Sequence, residues 1–97
     1  MCGIAGYFQQ DALFDAADLR RMTDIQQHRG PDAGGYFNDE RCGLGHRRLS
    51  ILDLSESANQ PFWSADNSAV IVFNGEVYNY REIAAELGLK TRTTSDT

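Results

Sequence analysis

The sequence contains few cysteines and no long apolar run. Its two cysteines, Cys2 and Cys42, are too few for a disulfide scaffold, and with two histidines they do not readily supply the ligand set of a zinc site. We therefore expect no metal in this chain and a reducing, cytoplasmic environment. No apolar stretch approaches the roughly 18 residues of a membrane span, and the apolar run that ends at Phe8 has no basic leader. Neither a transmembrane helix nor a signal peptide is expected.

Positive charge is scarce as well. Nine Lys and Arg residues stand against fourteen Asp and Glu in 97 residues, which gives a net charge of −5 at pH 7. Nucleic acids and anionic membrane surfaces attract basic faces, so the composition argues against both as partners. With 41% hydrophobic residues, the chain is apolar enough to build the core of one small domain.

The first third of the chain predicts a strand followed by a helix. Small and apolar residues alternate over 2–8, as in a buried strand. Apolar residues then recur at near-helical spacing over 14–28, and Asp15 is suited to cap the start of that helix. Residues 29–32 end the helix, because Pro31 disfavours helical geometry in the residue before it.

The middle of the chain is rich in strand signals. Residues 35–37 and 43–46 flank a polar stretch, 38–41, that is typical of a hairpin turn. Alternation over 49–54 indicates a short strand, and the polar residues 55–60 indicate a loop. We therefore expect a hairpin, a strand and a loop in this order.

The last third predicts one more strand and one more helix. Residues 69–73 are the clearest buried strand in the sequence. Asn79 is suited to cap a final helix, which is expected to stop at Gly88. Residues 89–97 carry little pattern. The whole is one continuous unit of alternating helices and strands.

A cysteine directly after the initiator methionine has a specific chemical use. Removal of Met1 would leave Cys2 with a thiol and a free amine on one residue. An N-terminal amine has a pKa of roughly 7.7–8.0, so it can act as the base for a thiol nucleophile near neutral pH. The alternative from position alone is that Cys2 is a small hydrophobic residue that starts a strand.

Other polar residues also admit two interpretations. Asn74–Gly75 after a strand is typical of a tight turn or of an oxyanion hole, in which a side-chain amide and a backbone N–H donate to a tetrahedral intermediate. Either of the adjacent Arg47 and Arg48 can point into a pocket and bind a carboxylate through its guanidinium fork. Arg29 lies in a rigid turn, where it can pair with a carboxylate. Asp96 can neutralise a substrate ammonium or lie in a solvated tail.

Six stretches in the same order along the chain resemble the N-terminal glutaminase domain of the class II glutamine amidotransferases. Within that family, the segments RLSILDL and NGEVYNY are most similar to the asparagine synthetase B branch. The six stretches are MCGIAGYF (1–8), HRGPD (28–32), GHRRLSILDLS (45–55), NQPF (59–62), FNGEVYNYREI (73–83) and SDT (95–97).

The resemblance implies an α+β fold. It implies the first half of the αββα sandwich of N-terminal-nucleophile hydrolases, in which antiparallel sheets are flanked by helices. Residues 1–97 are then expected to be part of a type 2 glutamine amidotransferase domain, without its second half and without the synthetase domain that follows. A half-domain leaves apolar sheet faces uncovered, so low stability or self-association, as in a homodimer, is expected.

The resemblance also assigns chemical roles. Cys2 would attack the side-chain amide of glutamine to give a glutamyl thioester and ammonia, and water would then release glutamate. Asn74 and Gly75 would form the oxyanion hole. Arg29 would order the N-terminal loop without taking part in the chemistry, and Cys42 receives no role.

Substrate binding is assigned in the same way. Arg48 would hold the α-carboxylate of glutamine, beside the backbone of Ile51 and Leu52. Asp96, helped by Glu76, would bind the α-ammonium group. Glutamine is a zwitterion with an uncharged amide, so one fixed cation, one fixed anion and a neutral oxyanion hole suit its recognition.

The function implied is that of the glutaminase portion of a glutamine-hydrolysing asparagine synthetase. Ammonia would pass to a synthetase domain that uses ATP and Mg²⁺ to convert aspartate to asparagine. No cofactor is expected in this chain, which has no Gly-rich phosphate loop. Two alternatives remain: a glutaminase of this branch that serves another acceptor, and a catalytically idle, self-associating fragment.

Overall fold

The fold combines two antiparallel sheets with two helices. The computed structural model describes residues 2–51 and 53–97; Met1 and Leu52 lie outside the described residues. In chain order the elements are β1 (Gly3–Phe8), α1 (Ala16–Asp24), β2 (Ala33–Asn38), β3 (Cys42–Arg48), a 3₁₀ turn (Glu56–Ala58), β4 (Phe62–Trp63), β5 (Val70–Ile71) and α2 (Tyr80–Leu87).

Strand β3 is the centre of a three-stranded antiparallel sheet with the order β1-β3-β2. The predicted hairpin is confirmed as β2–β3. The Asp39 carboxylate accepts the backbone N–H groups of Arg41 and Cys42 at 2.8 and 2.7 Å, which closes the turn with a side chain suited to that task. The predicted first strand is also confirmed, but β1 is an edge strand and its Phe8 side chain is 76% exposed.

Helix α1 begins where the sequence predicts and ends earlier. Asp15 is its N-cap in a reciprocal capping box with Asp18. The helix stops at Asp24 rather than near residue 28, because the N–H groups of Gln26 and Gln27 bond to carbonyls three residues back in a tightening turn. Ile25 is therefore 76% exposed, and the buried face of α1 is formed by Leu19 and Thr23.

Glycines let α1 approach the sheet closely. A Cβ atom at Gly45 of β3 would lie 1.8 Å from Oγ1 of Thr23, and one at Gly3 of β1 would lie 2.5 Å from Oε1 of Gln26. Thr23 is fully buried, and its hydroxyl donates to the Leu19 carbonyl at 2.7 Å. The contact between α1 and the sheet thus depends on the glycines of the strands, which leave room for the helix, as much as on the apolar side chains of the helix.

Gly45→Ala is expected to lower the free energy of unfolding by about 1–3 kcal/mol, the usual cost of overpacking a close-packed contact. Gly34→Ala is the matched control, because its Cβ would meet the flexible end of the Arg47 side chain in the same sheet. Urea denaturation of both variants measures the difference. Equal losses in the two variants would contradict the close-packing argument.

The predicted strand over 49–54 is wrong for the residues that the structure describes. Their backbone N–H groups bond to side chains instead of to a neighbouring strand. Leu49 donates to the Cys2 thiol at 3.3 Å, and Ser50 donates to the Asp32 carboxylate at 2.8 Å. The loop predicted over 55–60 is correct and contains the 3₁₀ turn.

The strand predicted over 69–73 is short and half-exposed. Only Val70–Ile71 pairs, with Phe62–Trp63 of β4, and Ile71 is 47% exposed. The residues that follow leave the two-stranded sheet and continue towards Asn74. The expectation of a buried strand over all of 69–73 is thus wrong, since β4 offers only two partner residues.

Helix α2 begins after Asn79 and ends at Gly88, as the sequence predicts. Gly88 adopts the left-handed conformation (φ 66°) that ends a helix with least strain in glycine. Asn79 precedes the helix, but its side chain makes no capping hydrogen bond. No residue of α2 is buried, and no described helix is long and apolar enough to cross a membrane.

Candidate active site

A cavity of about 550 Å³ opens where several separate segments of the chain meet. It lies between the start of β1, the end of β3, the segment that precedes α2, and the last three residues. Most of the residues predicted as a site line this one cavity, namely Cys2, Arg48, Ile51, Asn74, Gly75, Glu76 and Asp96. Of the remaining two, Leu52 lies outside the described residues, and Arg29 does not line the cavity.

Cys2 is half-buried at the edge of the cavity. Its sulfur accepts the Leu49 N–H at 3.3 Å, and its carbonyl oxygen accepts Nε of Arg29 at 3.2 Å. These contacts hold the thiol and its backbone in place at the start of β1. The second cysteine, Cys42, pairs with Phe8 across β1–β3 and does not line the cavity.

The alternation of β3 separates the two adjacent arginines. Arg48 is 6% exposed, and its Nη1 donates to the Ser55 carbonyl at 2.7 Å and to Oδ1 of Asn59 at 2.8 Å. Arg47 points to the other face, where its Nε donates to the Gly30 carbonyl at 2.9 Å. No carboxylate lies within ion-pair distance of Arg48 in the described part of the chain. A buried cation held only by neutral acceptors favours binding of an anion.

The chain bends at Gly75, but Asn74 and Gly75 do not form the hydrogen-bonded turn of a hairpin. Strand β5 has already ended at Ile71, and the next element is helix α2. Neither the Asn74 side-chain amide nor the Gly75 N–H donates to another described residue. Both groups border the cavity and are available to an acceptor inside it.

Acidic residues from other segments of the chain also line the cavity. Asp96 is half-buried, not in a solvated tail, and its Oδ2 accepts the Val77 N–H at 2.7 Å. This bond ties the end of the chain to the segment that carries Glu76, which is exposed at the rim. The cavity therefore presents a cation from β3 together with the carboxylates of Glu76 and Asp96 from other segments.

Asp53 and Gln60 are cavity residues that sequence reasoning did not single out. The Asp53 carboxylate accepts hydrogen bonds from the N–H and the hydroxyl of Ser55, at 2.8 and 2.5 Å, and from the N–H of Thr94, at 2.9 Å. These bonds, of which the one from the Ser55 hydroxyl has the largest effect, hold the pKa of the Asp53 carboxyl well below its usual range. Gln60 is buried and hydrogen bonds to Phe73. Both residues lie inside stretches that resemble the family, Asp53 in 45–55 and Gln60 in 59–62, and this position could have indicated a role at the site. Asp53 lies in the strand predicted over 49–54 and Gln60 in the loop predicted over 55–60, and neither prediction places a buried polar side chain at a cavity.

His46 lies beneath the cavity and is 1% exposed. Burial lowers the pKa of its imidazole below the usual 6.5, and the nearby Arg48 cation lowers it further, while the hydrogen bond to the Phe73 carbonyl acts in the opposite direction. The net lowering of the His46 pKa favours the neutral imidazole in the folded protein.

The free energy of unfolding is expected to fall as the pH drops below about 6.5. The unfolded chain binds a proton at His46 near its usual pKa of 6.5, whereas the folded chain binds it only at lower pH. The unfolded state therefore holds more protons in that window and gains stability there. Urea denaturation between pH 7.5 and 5.5 measures this loss. His46→Gln should weaken the dependence, and an unchanged pH dependence in that variant would contradict the role of His46.

No group of three or more His, Cys, Asp or Glu side chains in residues 2–51 and 53–97 is arranged to hold a metal ion. The lining described above instead suits an organic zwitterion, because it combines a thiol, a guanidinium, carboxylates and open amide donors.

Comparison with known protein families gives a match over the whole chain. A family model described as a glutamine amidotransferase domain matches residues 1–97. Asparagine synthetase [glutamine-hydrolyzing] 1 of Bacillus subtilis is 45% identical over 104 residues, which cover 100% of this chain and 16% of that protein. Asparagine synthetase B [glutamine-hydrolyzing] of Escherichia coli is 38% identical over 92 residues, which cover 91% of this chain and 16% of that protein.

A relative of a different name also matches. The amidase chry2 of Gibberella zeae is 41% identical over 100 residues, which cover 90% of this chain and 15% of that protein. The chain thus spans about one-sixth of the length of these curated relatives.

Proposed function

The chain belongs to the glutamine amidotransferase family, and from this premise we propose that it hydrolyses glutamine to glutamate and ammonia with Cys2 as the nucleophile. One observation carries the proposal. The same cavity of about 550 Å³ is bordered by the Cys2 thiol, by the buried Arg48 guanidinium, and by the two unbonded donors of Asn74 and Gly75. Arg48 has no carboxylate partner among the described residues.

The chemistry begins with removal of Met1, which frees the α-amine of Cys2. That amine takes the thiol proton, and the sulfur attacks the side-chain amide carbon of glutamine. The negative oxygen of the tetrahedral intermediate accepts hydrogen bonds from the Asn74 amide and the Gly75 N–H. The C–N bond then breaks, the α-ammonium returns its proton to the leaving nitrogen, and ammonia departs. Water attacks the thioester with the amine as base, which releases glutamate and restores the thiol.

Recognition of glutamine uses the charges of both signs that line the cavity. Arg48 binds the α-carboxylate, beside the backbone of Ile51, which lines the same cavity. Leu52, predicted to act with Ile51, lies outside the described residues. Asp96 and Glu76 bind the α-ammonium group. Glutamate is excluded because its second carboxylate would be poorly solvated beside a thiolate. Comparable binding of glutamate and glutamine would contradict this part of the proposal.

The fold supports a place among the N-terminal-nucleophile hydrolases. Helix α1 covers one face of the three-stranded antiparallel sheet, and the short β4–β5 sheet lies towards the other face, where Phe37 of β2 contacts Trp63 at 5.3 Å between ring centroids. We propose that residues 1–97 form the first half of the αββα sandwich. Arg29 then acts as a support, since its bond to the Cys2 carbonyl orders the nucleophile's backbone.

The whole protein's activity is proposed by relation to the asparagine synthetases. A synthetase domain would use ATP and Mg²⁺ to convert aspartate to asparagine with the ammonia released here. No step proposed for this chain uses those cofactors. We further propose that the protein acts in the cytoplasm and that exposed apolar side chains such as Phe8 and Ile71 favour a homodimer.

A second candidate keeps the glutaminase and changes the acceptor. The relative named amidase chry2, with 41% identity, favours this alternative because its name does not specify asparagine synthesis. A third candidate is an idle, self-associating fragment. Retention of Met1 would favour it, because a blocked amine cannot act as the base.

The proposal is tested by labelling the chain with a glutamine analogue that carries an electrophilic carbon in place of the amide. Intact-mass measurement first establishes whether Met1 has been removed. We expect one adduct per chain in wild type and in Cys42→Ser, and none in Cys2→Ser. Excess glutamine should block formation of the adduct. Release of glutamate from glutamine is assayed in the same samples. Labelling of Cys42, or a fully processed chain that releases no glutamate, would overturn the proposal.

Arg48→Lys is expected to raise the KM for glutamine about 10-fold or more with a smaller change in kcat. Lysine keeps the charge but cannot form the two parallel hydrogen bonds of the guanidinium fork, whose charge-assisted bonds contribute about 1.5–3 kcal/mol each. Arg47→Lys is the matched control, because Arg47 lies on the opposite face of β3. Steady-state kinetics distinguish the two variants. An equal change in both would contradict the assignment of Arg48.

A further inference from the structure

Two buried polar side chains hold the residue that precedes the proposed oxyanion donors. Phe73 lies directly before Asn74. Its carbonyl oxygen is 3.1 Å from Nε2 of His46, and its N–H donates to Oε1 of Gln60 at 2.5 Å. Both hydrogen-bonding groups of Phe73 are thus bound by side chains that are themselves buried, at 1% and 8% exposure.

The carbonyl determines the protonation of His46. A carbonyl oxygen only accepts hydrogen bonds, so Nε2 must carry the proton that it donates to Phe73. The other ring nitrogen, Nδ1, is buried and has no hydrogen-bond partner among the described residues. The ring is placed by β3, two residues before Arg48 and on the same face. His46 is therefore directed at the Phe73 peptide and at no other described group.

The position of Gln60 is equally restricted. Its Oε1 accepts from Phe73, so the side-chain nitrogen is the donor that bonds to Oγ1 of Thr97 at 3.2 Å. Its own backbone carbonyl packs against Gly35 of β2, where a Cβ atom would lie only 2.0 Å away. The side chain therefore starts from a fixed backbone and connects the Phe73 peptide to the residue next to Asp96.

We propose that His46 and Gln60 are positioning residues that aim the Asn74 amide and the Gly75 N–H at the developing oxyanion; this inference rests on the proposed glutaminase function. Segment 72–79 has no strand partner of its own in the described structure. The two bonds of Phe73 therefore fix the segment immediately before Asn74, and the Val77 N–H bond to Asp96 fixes it after Glu76. An oxyanion hole stabilises the transition state only when its donors are correctly placed beforehand. Loss of either bond therefore reduces kcat and leaves glutamine binding at Arg48 and Asp96 intact.

The test compares steady-state glutamine hydrolysis by His46→Leu, His46→Gln and Gln60→Leu in the processed chain. We expect kcat to fall about 10- to 100-fold in the two leucine variants, with KM within about twofold of wild type. His46→Gln should restore most of kcat, because its side-chain nitrogen can replace Nε2 as donor. In an Asn74→Ala background, His46→Leu should cost much less, since one of the donors that it positions is already absent.

A control separates positioning from general stability. Thr23→Val removes a buried hydrogen bond within α1, away from the cavity, and should lower the free energy of unfolding without changing kcat. The proposal would be overturned if kcat were unchanged in both leucine variants, or if KM rose in place of a fall in kcat. It would also be overturned if His46→Gln restored no activity, or if the effects of His46→Leu and Asn74→Ala were fully additive. If His46→Leu does not fold, the kcat values of Gln60→Leu and of the folded His46→Gln decide whether the proposal holds.

A readout without turnover distinguishes this inference from the function on which it rests. The backbone amide resonances of Asn74 and Gly75 should shift in Gln60→Leu and in His46→Leu and return towards wild type in His46→Gln. If wild type releases no glutamate, the proposed function fails. The resonances then still decide whether His46 and Gln60 hold this segment, and unshifted resonances would overturn that role.

Discussion

Cys2→Ala is expected to reduce glutamine hydrolysis by about 10³-fold or more, because removal of the nucleophile closes the covalent route. Glutamine binding should survive, since Arg48 and Asp96 belong to other segments of the cavity lining. The measurement is glutamate release together with glutamine affinity from calorimetry. Loss of binding in parallel with turnover would indicate that the variant has disturbed the cavity and not only the chemistry.

Two variants sharpen this result. Cys2→Ser keeps a side-chain acceptor for the Leu49 N–H, which lies 3.3 Å from the native sulfur, but it replaces the thiol with a poorer nucleophile. Its activity should stay close to that of Cys2→Ala. Cys42→Ala removes the other thiol, on β3 outside the cavity, and should retain wild-type turnover. In a complete synthetase, Cys2→Ala should leave ammonia-dependent synthesis intact, and loss of both activities would contradict two separate sites.

Asn74→Ala is expected to lower kcat by about 10²–10³-fold, the usual cost of one lost oxyanion donor. The Asn74 side chain makes no hydrogen bond to a described residue, so its removal should leave the free energy of unfolding nearly unchanged. The KM for glutamine should change little, because the donor acts mainly in the transition state. Steady-state kinetics and urea denaturation measure the two quantities.

Asn79→Ala is the matched control for this prediction. Asn79 lies in the same segment, is exposed, and makes no capping bond to α2 despite its position. Its replacement should affect neither kcat nor stability. If Asn74→Ala lost no more turnover than Asn79→Ala, the oxyanion hole would have to be sought elsewhere in the cavity.

Local signals in the sequence predicted elements well where the stabilising contact is itself local. Asp15 caps α1 through a bond to Asp18 three residues away, and Asp39 closes its turn within three residues. Gly88 ends α2 through its own backbone conformation. Such contacts need no partner from a distant segment, so the residue types are sufficient to predict them.

The failed predictions share the opposite property. The segment 49–54 alternates like a strand, but Leu49 and Ser50 donate to Cys2 and Asp32, which are 47 and 18 residues away in the sequence. Residues 69–73 look like a buried strand, but β4 pairs with only two of them. Whether an apolar segment becomes a strand depends on the partner that the fold brings beside it.

By itself, the sequence determined the family and the chemical types at the candidate site: a thiol, a guanidinium, carboxylates and an Asn-Gly pair. The family resemblance assigned Arg48, but the residue pattern alone left Arg47 and Arg48 equivalent, and the tertiary structure separated them. Only the tertiary structure decided that Asp53, Gln60 and His46 are buried. The reason is physical. Side-chain direction in β3 follows from its register with two neighbouring strands, and burial of a polar residue depends on hydrogen-bond partners from distant segments.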